Sequence, residues 1–402
     1  MHLTYLGLQH FRNYERVSLE FGPRVTLFLG DNGQGKSNLL EAVYFLATTR
    51  SARAGSDREL IHWFGPGELI PFARLEAHVQ RGDGELHLEV LLRLEAGVQA
   101  ENGRGPTSHL VKTIRVNGLP NRAAQLVGQV NVVLFSPEDV ALVAGPPAGR
   151  RRYLDITNSQ VSPIYLRTLQ RYQRVLQQRN SLLRHVRERR QPPQMLEFWT
   201  NELASSGSYL VAQRLRMVKA IDSAAREAFQ ALSGSTQRLH TTYQTTVRDP
   251  IAEGEDAAAD LQARFRTRLS QLQPREIDAG MTLAGPHRDD FGLEVDGVDV
   301  GTYGSRGQQR LAVLALKLAE RQFLTTETGE TPILLLDDVL SELDSRRRRF
   351  VLAQVAEGGQ TLASATDLEP FPTSFLKQAR VLLVRDGVVS EQSQEASLPP
   401  LE

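Results

Sequence analysis

The chain has 402 residues, of which 41% are apolar and 23% charged, as is ordinary for a globular protein of about two to three domains. Its 47 Lys and Arg residues balance 47 Asp and Glu residues, so any site for a polyanion must be a local patch. The lack of cysteine excludes disulfides, zinc knuckles and thiol catalysis.

The first third of the chain reads as strands with one helix. Residues 2–30 alternate like two short strands, the second of which ("RVTLFLG") ends at Gly30. The apolar spacing of "SNLLEAVYFLA" predicts a helix from Lys36. Residues 72–118 read as a meander of strands with a hairpin turn at Asn117-Gly118, and "NVVLF" reads as a short buried strand.

The character of the sequence changes near residue 150 and again near residue 270. "YLRTLQRYQRVLQQRNSLLRHVRER" predicts a long amphipathic helix, and the stretch that starts "MLEFWTNEL" predicts one or two more. Strands resume after about 278, among them "PILLLDDV", whose continuous apolar run suits the middle of a parallel sheet. We therefore predict an α/β body formed by residues 1–149 and 271–402, an inserted helical lobe at 150–270, and a disordered tail at about 391–402.

A phosphate-binding loop is predicted where the strand before Gly30 meets the helix at Lys36. "GDNGQGKS" matches the pattern G-x-x-x-x-G-K-[ST], whose glycines let backbone N–H groups and the helix N-terminus face an anion. Lys36 would reach the β- and γ-phosphates of ATP, and the Ser37 hydroxyl would bind Mg²⁺. The residues expected to bind the nucleotide here are Gly30, Asp31, Asn32, Gly33, Gln34, Gly35, Lys36, Ser37 and Asn38.

The strand "ILLLDD" is the expected partner of this loop. Its apolar residues form a buried strand that presents Asp337 at its C-terminal end, where ligands of α/β sheets bind. Asp337 is expected to hold Mg²⁺, directly or through water. Asp338 follows where many proteins of this architecture carry a glutamate that polarises the attacking water. Asp337, Asp338 and Lys36 are thus the predicted catalytic residues.

A second glycine-containing loop, "YGSRGQQR" at 303–310, also precedes a helix. Ser305 and Gln308 have the spacing of a capping box, which accounts for the loop locally and leaves its function open. An exposed helix N-terminus with Ser305 and the Gly307 amide is also an anion site. One nucleotide needs only one phosphate-binding loop. A second loop of this kind therefore suggests that it binds the nucleotide of another molecule.

At this point the sequence resembles a known family. "YGSRGQQR" resembles the signature motif of ABC-type ATPases in the variant of the SMC-like repair ATPases, and "DDVLSELD" resembles their Walker B strand and D-loop. With "LQHFRNYERVSLEF", "NVVLFSPEDVALV" and "GPHRDD", these stretches are similar, in the same order, to the RecF family of bacterial DNA replication and repair proteins. The resemblance implies an α/β fold of the ABC-ATPase type, with a P-loop head, a mixed sheet and an inserted helical lobe.

The resemblance also implies roles for residues outside the P-loop. Ser305, Arg306, Gly307 and Gln308 would contact the nucleotide of the opposite subunit, in a dimer that forms on ATP binding. Arg12 matches a basic position near the phosphates, although an exposed arginine at a strand end would look the same. Asp344 would lie at the dimer seam.

Three departures from the wider ABC pattern predict slow hydrolysis. Ser136-Pro137 stands where a metal-contacting glutamine is usual, and Thr366 stands where a switch histidine is usual. Asp338 is one methylene shorter than glutamate and reaches water less well. The family resemblance implies a weak, DNA-stimulated ATPase that acts as a timed switch.

The resemblance further implies sequence-independent binding to single- and double-stranded DNA at gaps or stalled forks, with RecO and RecR as partners that aid RecA loading. Candidate DNA contacts are three arginine clusters, although such runs are usually solvated helix faces. Their members are Arg150 to Arg152; Arg184, Arg187, Arg189 and Arg190; and Arg346 to Arg349. No signal peptide and no run of about 18 apolar residues is present, so we expect a cytoplasmic protein without membrane contact.

Four other classes of protein fit this sequence less well. A chromosome-organising SMC ATPase needs several hundred heptad residues between its two Walker motifs, and much of the segment between Lys36 and Asp337 is globular. The nucleotide-binding subunit of a transporter would carry the glutamine and histidine that are missing here. A small-molecule kinase would not need the 303–310 loop, and an ATPase–nuclease would need a further domain after Asp337.

Overall fold

The computed structural model describes residues 1–62, 71–95, 109–247, 257–341, 343–356, 358–369 and 371–391. Up to residue 144 the strands and α-helices are β1 (His2–Phe11), β2 (Tyr14–Glu20), β3 (Val25–Leu29), α1 (Lys36–Thr48), β4 (Phe72–Arg81), β5 (Gly84–Glu95), β6 (His109–Val116), β7 (Leu119–Asn121), α2 (Ala123–Leu126), β8 (Val132–Phe135) and α3 (Ala141–Ala144). Residues 2–29 thus form three strands, and the prediction of two was wrong, because the turn at 12–13 divides the first segment.

The middle of the chain is mainly helical. Its elements are α4 (Pro147–Val161), α5 (Pro163–Arg187), α6 (Leu196–Ser233), β9 (Leu239–Gln244), α7 (Ala257–Ala279), β10 (Asp290–Val295), β11 (Val298–Asp299) and α8 (Val300–Tyr303). The long amphipathic helix is confirmed as α5, and the segment after it forms the single helix α6 of 38 residues.

The C-terminal part returns to alternating helices and strands. Its elements are α9 (Arg306–Thr328), β12 (Ile333–Asp337), α10 (Ser345–Ala356), β13 (Thr361–Ala365), α11 (Thr373–Leu376), β14 (Arg380–Arg385) and β15 (Val388–Glu391). The tail predicted to be disordered lies outside the described residues beyond Glu391.

The chain divides into two compact units. Unit 1 comprises Met1–Glu138 and Leu324–Glu402, and unit 2 comprises Asp139–Phe323. This division assigns residues 271–323 to unit 2, whereas the sequence prediction placed them in the α/β body; the predicted lobe boundaries remain a prediction.

Unit 1 contains two six-stranded sheets. The first is antiparallel, with strand order β2-β1-β4-β5-β6-β7, and its β6–β7 hairpin turns at Asn117-Gly118 as predicted. The second has the order β15-β14-β3-β13-β12-β8, and its strands are parallel from β14 to β8. All five residues of β12 are buried, which confirms the prediction from its continuous apolar run. Apolar side chains from both sheets and from α1 share one core.

Unit 2 combines helices with a three-stranded antiparallel sheet of order β11-β10-β9. Its main core brings together α5, α6 and α7 through residues such as Tyr172, Leu210 and Phe265. Two arginines are fully enclosed in this unit. Arg179 pairs with Glu276 at 2.6 Å, and Arg214 pairs with Asp155 at 2.7 Å, so both buried charges are compensated.

Candidate nucleotide-binding site

The predicted phosphate loop lies between the end of β3 and the start of α1, as expected. At Gly35 the backbone has φ 115°, a conformation that side chains with a Cβ rarely adopt. A Cβ there would also lie 2.5 Å from Asn13 Nδ2 and 2.8 Å from the Tyr14 hydroxyl oxygen. Position 35 therefore requires glycine on two independent grounds, and the loop before α1 has the tight form that the motif predicts.

The Lys36 side chain folds back over this loop. Its ammonium donates hydrogen bonds to the carbonyl oxygens of Gly30, at 2.5 Å, and Asp31, at 2.8 Å. Only 5% of Lys36 is exposed, and burial lowers its pKa, while the carboxylates of Asp338, Asp337 and Asp31 act in the opposite direction. The positive charge is thus held by the loop that would cradle a phosphate.

Ser37 and Asp337 meet at the C-terminal edge of the parallel sheet. Ser37 Oγ donates a hydrogen bond of 2.6 Å to Asp337 Oδ1. The contact arises because β13 lies between β3 and β12, which places the starts of the loops after β3 and β12 on one edge. A hydroxyl and a carboxylate are hard oxygen donors of the kind that Mg²⁺ prefers, so the residues present fit this ion.

Ser364 is a residue that the sequence analysis missed. It lies opposite Asp337 in the β12–β13 register, is 2% exposed, and donates a hydrogen bond of 2.9 Å to Asp337 Oδ1. The same hydroxyl accepts a hydrogen bond of 3.0 Å from the backbone N–H of Asp338. One side chain therefore orients both acidic residues. Its only sequence signal is a serine one residue before the end of the buried strand β13.

Asp338 has an unusual conformation. Its φ is 52°, in the left-handed region that non-glycine residues seldom adopt. Its Oδ1 is buried and has no hydrogen-bond partner among the described residues. A strained backbone and an unsatisfied buried carboxylate oxygen are both costly, and such features concentrate at functional sites.

A bracing set around the loop was also missed by the sequence analysis. Asn13 Nδ2 donates to Gln34 O at 3.0 Å and Asn13 Oδ1 accepts from Asn38 Nδ2 at 2.8 Å. The Tyr14 hydroxyl, whose pKa is raised by burial, donates to Gly35 O at 3.0 Å. From the other side, the backbone N–H of Asp386 donates to Gln34 Oε1 at 2.6 Å. The β1–β2 and β14–β15 turns thus hold the loop in place.

Arg12 forms an ion pair within unit 1. Its guanidinium forms a two-point ion pair with Glu41 of α1, with both N–O distances 2.8 Å. The Glu41 side chain is 1% exposed and also accepts from Ser51 Oγ at 2.5 Å. The structure therefore connects Arg12 to the helix that follows the phosphate loop, and its role toward the phosphates remains a prediction.

The loop at 303–310 belongs to unit 2 and contains the predicted capping box. The Gln308 N–H donates to Ser305 Oγ at 3.3 Å, and the Ser305 N–H donates to Gln308 Oε1 at 3.0 Å. Ser305, Arg306 and Gly307 are exposed. A Cβ added at Gly307 would meet only Ser305 Oγ, at 3.9 Å, so this helix N-terminus is sterically open.

Asp344 has a local structural role at the start of α10. Its Oδ1 accepts hydrogen bonds from the N–H groups of Arg346 and Arg347, at 3.1 and 2.9 Å. These hydrogen bonds, led by that from Arg347, lower the pKa of Asp344. Because the carboxylate serves as a helix cap in the chain itself, its predicted place at a dimer seam remains a prediction.

The arginine clusters are only partly available for DNA. Arg150 forms a two-point pair with Asp290, with both N–O distances 2.8 Å, and lowers the pKa of that carboxyl. Arg348 donates to the carbonyl oxygens of Leu340 and Leu343. These two side chains are committed to contacts within the chain. The exposed members of the clusters are Arg152, Arg184, Arg187, Arg189, Arg190, Arg346 and Arg349.

Comparison with known proteins gives a consistent result. The family described as RecF/RecN/SMC N terminal domain matches residues 2–371. The chain is 47% identical over 397 residues to the DNA replication and repair protein RecF of Roseiflexus castenholzii, covering 96% of this chain and 99% of that one. It is 37% identical over 390 residues to RecF of Bacillus pumilus, covering 97% and 100%.

Solved structures agree with the sequence comparison. The structure of the recombination mediator protein RecF-ATP in the RecFOR pathway superimposes with a TM-score of 0.84 at 30% identity and covers 97% of both chains. An Smc head bound to the C-winged helix domain of ScpA shares the fold alone, with a TM-score of 0.52 at 16% identity and 98% coverage of both chains. Among the helices that the structure describes, none combines the length and the apolar composition of a membrane-spanning segment.

The fold and the phosphate loop define a P-loop protein of the ABC-ATPase type, in the class that includes RecF, RecN and SMC heads. Within that class the chain belongs to the RecF family of DNA replication and repair proteins. The family assignment made from the sequence motifs is thereby confirmed.

Proposed function

We propose that this protein is an ATP-dependent DNA-binding clamp of recombinational repair. ATP binds the loop at 30–38, two copies associate through their nucleotides, and the exposed 303–310 loop of each copy completes the site of the other. The dimer binds DNA without reading its sequence, at gaps or stalled forks. Hydrolysis then releases it, and the protein acts in the cytoplasm with RecO and RecR to aid RecA loading.

The observation that carries this proposal is a contrast between two sites. The residues around the phosphate loop already contact one another, whereas the loop at 303–310 is exposed. Ser37, Asp337 and Ser364 are already linked by hydrogen bonds of 2.6 and 2.9 Å, and Lys36 covers the loop beside them. The Ser305 hydroxyl and the N-terminus of α9, by contrast, face solvent. A helix N-terminus of this kind favours an anion, and a γ-phosphate supplied by a second copy meets that need.

Slow hydrolysis follows from the acidic residues available. Mg²⁺ held by Ser37 and Asp337 would neutralise charge on the β- and γ-phosphates. Asp338 is proposed to orient the attacking water, and its side chain is one methylene shorter than that of glutamate. Thr366 donates to its neighbour Asp367 at 3.2 Å, so this hydroxyl, at the position of the usual switch histidine, is turned toward the chain itself. A weak ATPase is therefore expected, and its stimulation by DNA is part of the proposal.

The test is the size of the full-length protein in light scattering, with and without ATP and Mg²⁺. The wild-type protein should dimerise only with ATP, and Ser305→Arg should bind ATP normally yet stay monomeric, because arginine at the cap removes the hydroxyl and fills the open N-terminus. Ser270→Arg is the matched control, since Ser270 is an exposed serine on α7. A normal ATP-dependent dimer of Ser305→Arg would contradict the proposed contact in trans.

DNA binding is tested on the same samples. Affinity for single-stranded, double-stranded and junction DNA, measured across a salt series, should fall steeply with salt if arginines neutralise phosphates. The logarithm of the affinity should fall more steeply with the logarithm of the salt concentration for the ATP-loaded dimer than for the nucleotide-free protein, because two copies contribute cations. Equal slopes in the two states would contradict a clamp assembled by ATP.

A further inference from the structure

The outer face of the antiparallel sheet in unit 1 carries a compact group of His and Glu side chains. His78 of β4 and His87 of β5 occupy directly opposite positions in the register, and their imidazole rings stack with centroids 4.0 Å apart at 12°. Glu85, two residues before His87, reaches the same place. One ligand atom from each of the three residues lies within 4.8 Å of the others.

We propose that His78, Glu85 and His87 form a binding site for a single zinc ion, or for another transition-metal cation with a similar preference for imidazole. This site lies apart from the phosphate loop and is independent of the proposed function. The ligand set of two imidazoles and one carboxylate is one that zinc accepts, with water as the fourth ligand. Mg²⁺ disfavours imidazole nitrogen, so the ion proposed for Ser37 and Asp337 does not suit this place.

The distances fit this assignment. Ligands at 2.0–2.1 Å from a tetrahedral zinc ion lie about 3.4 Å from one another. Glu85 Oε1 lies 3.5 Å from His87 Nε2 and 3.9 Å from His78 Nδ1. These two separations therefore need to shorten by no more than about half an ångström, whereas the ligand atoms of the two histidines lie within 4.8 Å of each other and must approach by up to about 1.4 Å. The Glu85 and His87 side chains are 53% and 50% exposed, so this movement meets little resistance.

The surroundings of His78 also match a metal ligand. With Nδ1 directed at the shared carboxylate, its Nε2 lies 3.6 Å from Glu76 Oε1. Metal-binding histidines usually donate their second ring N–H to a carboxylate, which fixes the ring and strengthens the ligand. Glu76 is itself held by Arg74 at 3.4 Å, and the Tyr5 ring lies 4.9 Å from the His78 ring on the neighbouring strand. His78 is thus oriented on two sides.

A simple cluster of ion pairs explains the arrangement less well. Two charged imidazolium rings stacked at 4.0 Å would repel each other. Two neutral rings can share one cation once they turn out of this stack, because the lone pair of an imidazole nitrogen lies in the ring plane, and the carboxylate of Glu85 would balance the charge. A shared cation would fasten the β4–β5 hairpin from its outer face.

The test is a Zn²⁺ titration of the full-length protein against a chromophoric zinc chelator, in excess Mg²⁺ to occupy carboxylate-only sites. The wild-type protein should bind one zinc ion with an affinity that His78→Gln/His87→Gln weakens by about tenfold or more. Glu76→Gln, which does not touch the metal, should weaken it by about tenfold through His78. Zinc should also raise the Tm of the wild-type protein and not that of the double variant.

His240→Gln is the matched control, because His240 is an exposed histidine that faces one carboxylate, Asp222, at 2.9 Å and belongs to no group of three metal-ligating side chains among the described residues. It should bind zinc like the wild-type protein. Equal zinc affinity in the wild-type protein and the double variant would overturn the proposal, as would an equal loss in His240→Gln. If the double variant has a lowered Tm in zinc-free buffer, the exposed single variant Glu85→Gln replaces it with the same expected loss.

Discussion

Ser37 Oγ and Asp337 Oδ1 are 2.6 Å apart and joined by a hydrogen bond, although 300 positions separate the two residues in the chain. This contact unites the helix that follows β3 with the end of β12, across the intervening β13. It brings together the hydroxyl and the carboxylate on which the proposed nucleotide chemistry depends. The predictions below concern this site and one partly buried histidine in unit 2.

Lys36→Ala should reduce ATP affinity by about a hundredfold or more, because it removes a charge-assisted contact to the phosphates. Equilibrium titration with a fluorescent ATP analogue measures this change. Lys377→Ala, at an exposed lysine near α11, should bind ATP normally and serves as the control. Unchanged affinity in a correctly folded Lys36→Ala protein would refute the role of this residue.

Asp338→Asn should keep ATP binding and lower ATP turnover by about a hundredfold, which is the low end of a general-base contribution. The substitution retains the backbone N–H that donates to Ser364 and removes only the charge that would polarise water. Turnover is measured by phosphate release and the lifetime of the ATP dimer by light scattering. Asp278→Asn, at an exposed aspartate of α7, is the control. Undiminished turnover would show that Asp338 does not orient the water.

Ser364→Ala should lower turnover by about tenfold and raise the Mg²⁺ concentration needed for half-maximal activity. Alanine leaves Asp337 with the hydrogen bond from Ser37 alone and the Asp338 N–H without its acceptor, so both acidic residues are held less firmly. Ser364→Thr keeps the hydroxyl and should restore both quantities. A lowered Tm with an unchanged Mg²⁺ requirement would show a purely structural role.

His287 should make the stability of the protein depend on pH. Burial lowers its pKa to about 4, and Tyr172 OH and Thr282 O lie 2.6 and 3.2 Å from its ring nitrogens. The unfolded chain, with an ordinary histidine pKa near 6.5, binds the proton first as the pH falls. The neutral ring thus stabilises the fold fully above about pH 6.5, and about 3 kcal/mol is lost as the pH falls to about 4.

This dependence is measured as the free energy of unfolding in urea at several pH values between these limits. His287→Gln has no group that titrates in this window and should show a shallower loss of stability. The two proteins are compared by how steeply their free energy of unfolding changes with pH. A variant that is less stable at every pH can therefore still be compared. Parallel slopes would contradict a partly buried, neutral histidine at position 287.

The sequence alone determined the features that depend on neighbouring residues. The phosphate loop at 30–37, the helix that starts at Lys36 and the capping box of Ser305 and Gln308 are all encoded within a few positions. Local spacing is sufficient for them because glycine conformation, helix periodicity and capping are short-range effects. The continuous apolar run of β12 likewise predicted that the strand is buried and that Asp337 lies at its end.

Tertiary structure decided the contacts between distant parts of the chain. Ser364 joins Asp337 because β13 is adjacent to β12, and Arg12 turns to Glu41 because the β1–β2 turn lies against α1. The stacked pair of His78 and His87 arises from strand register in the same way. Sheet order and register follow from how the whole core is buried, and a local pattern of apolar residues does not contain that information.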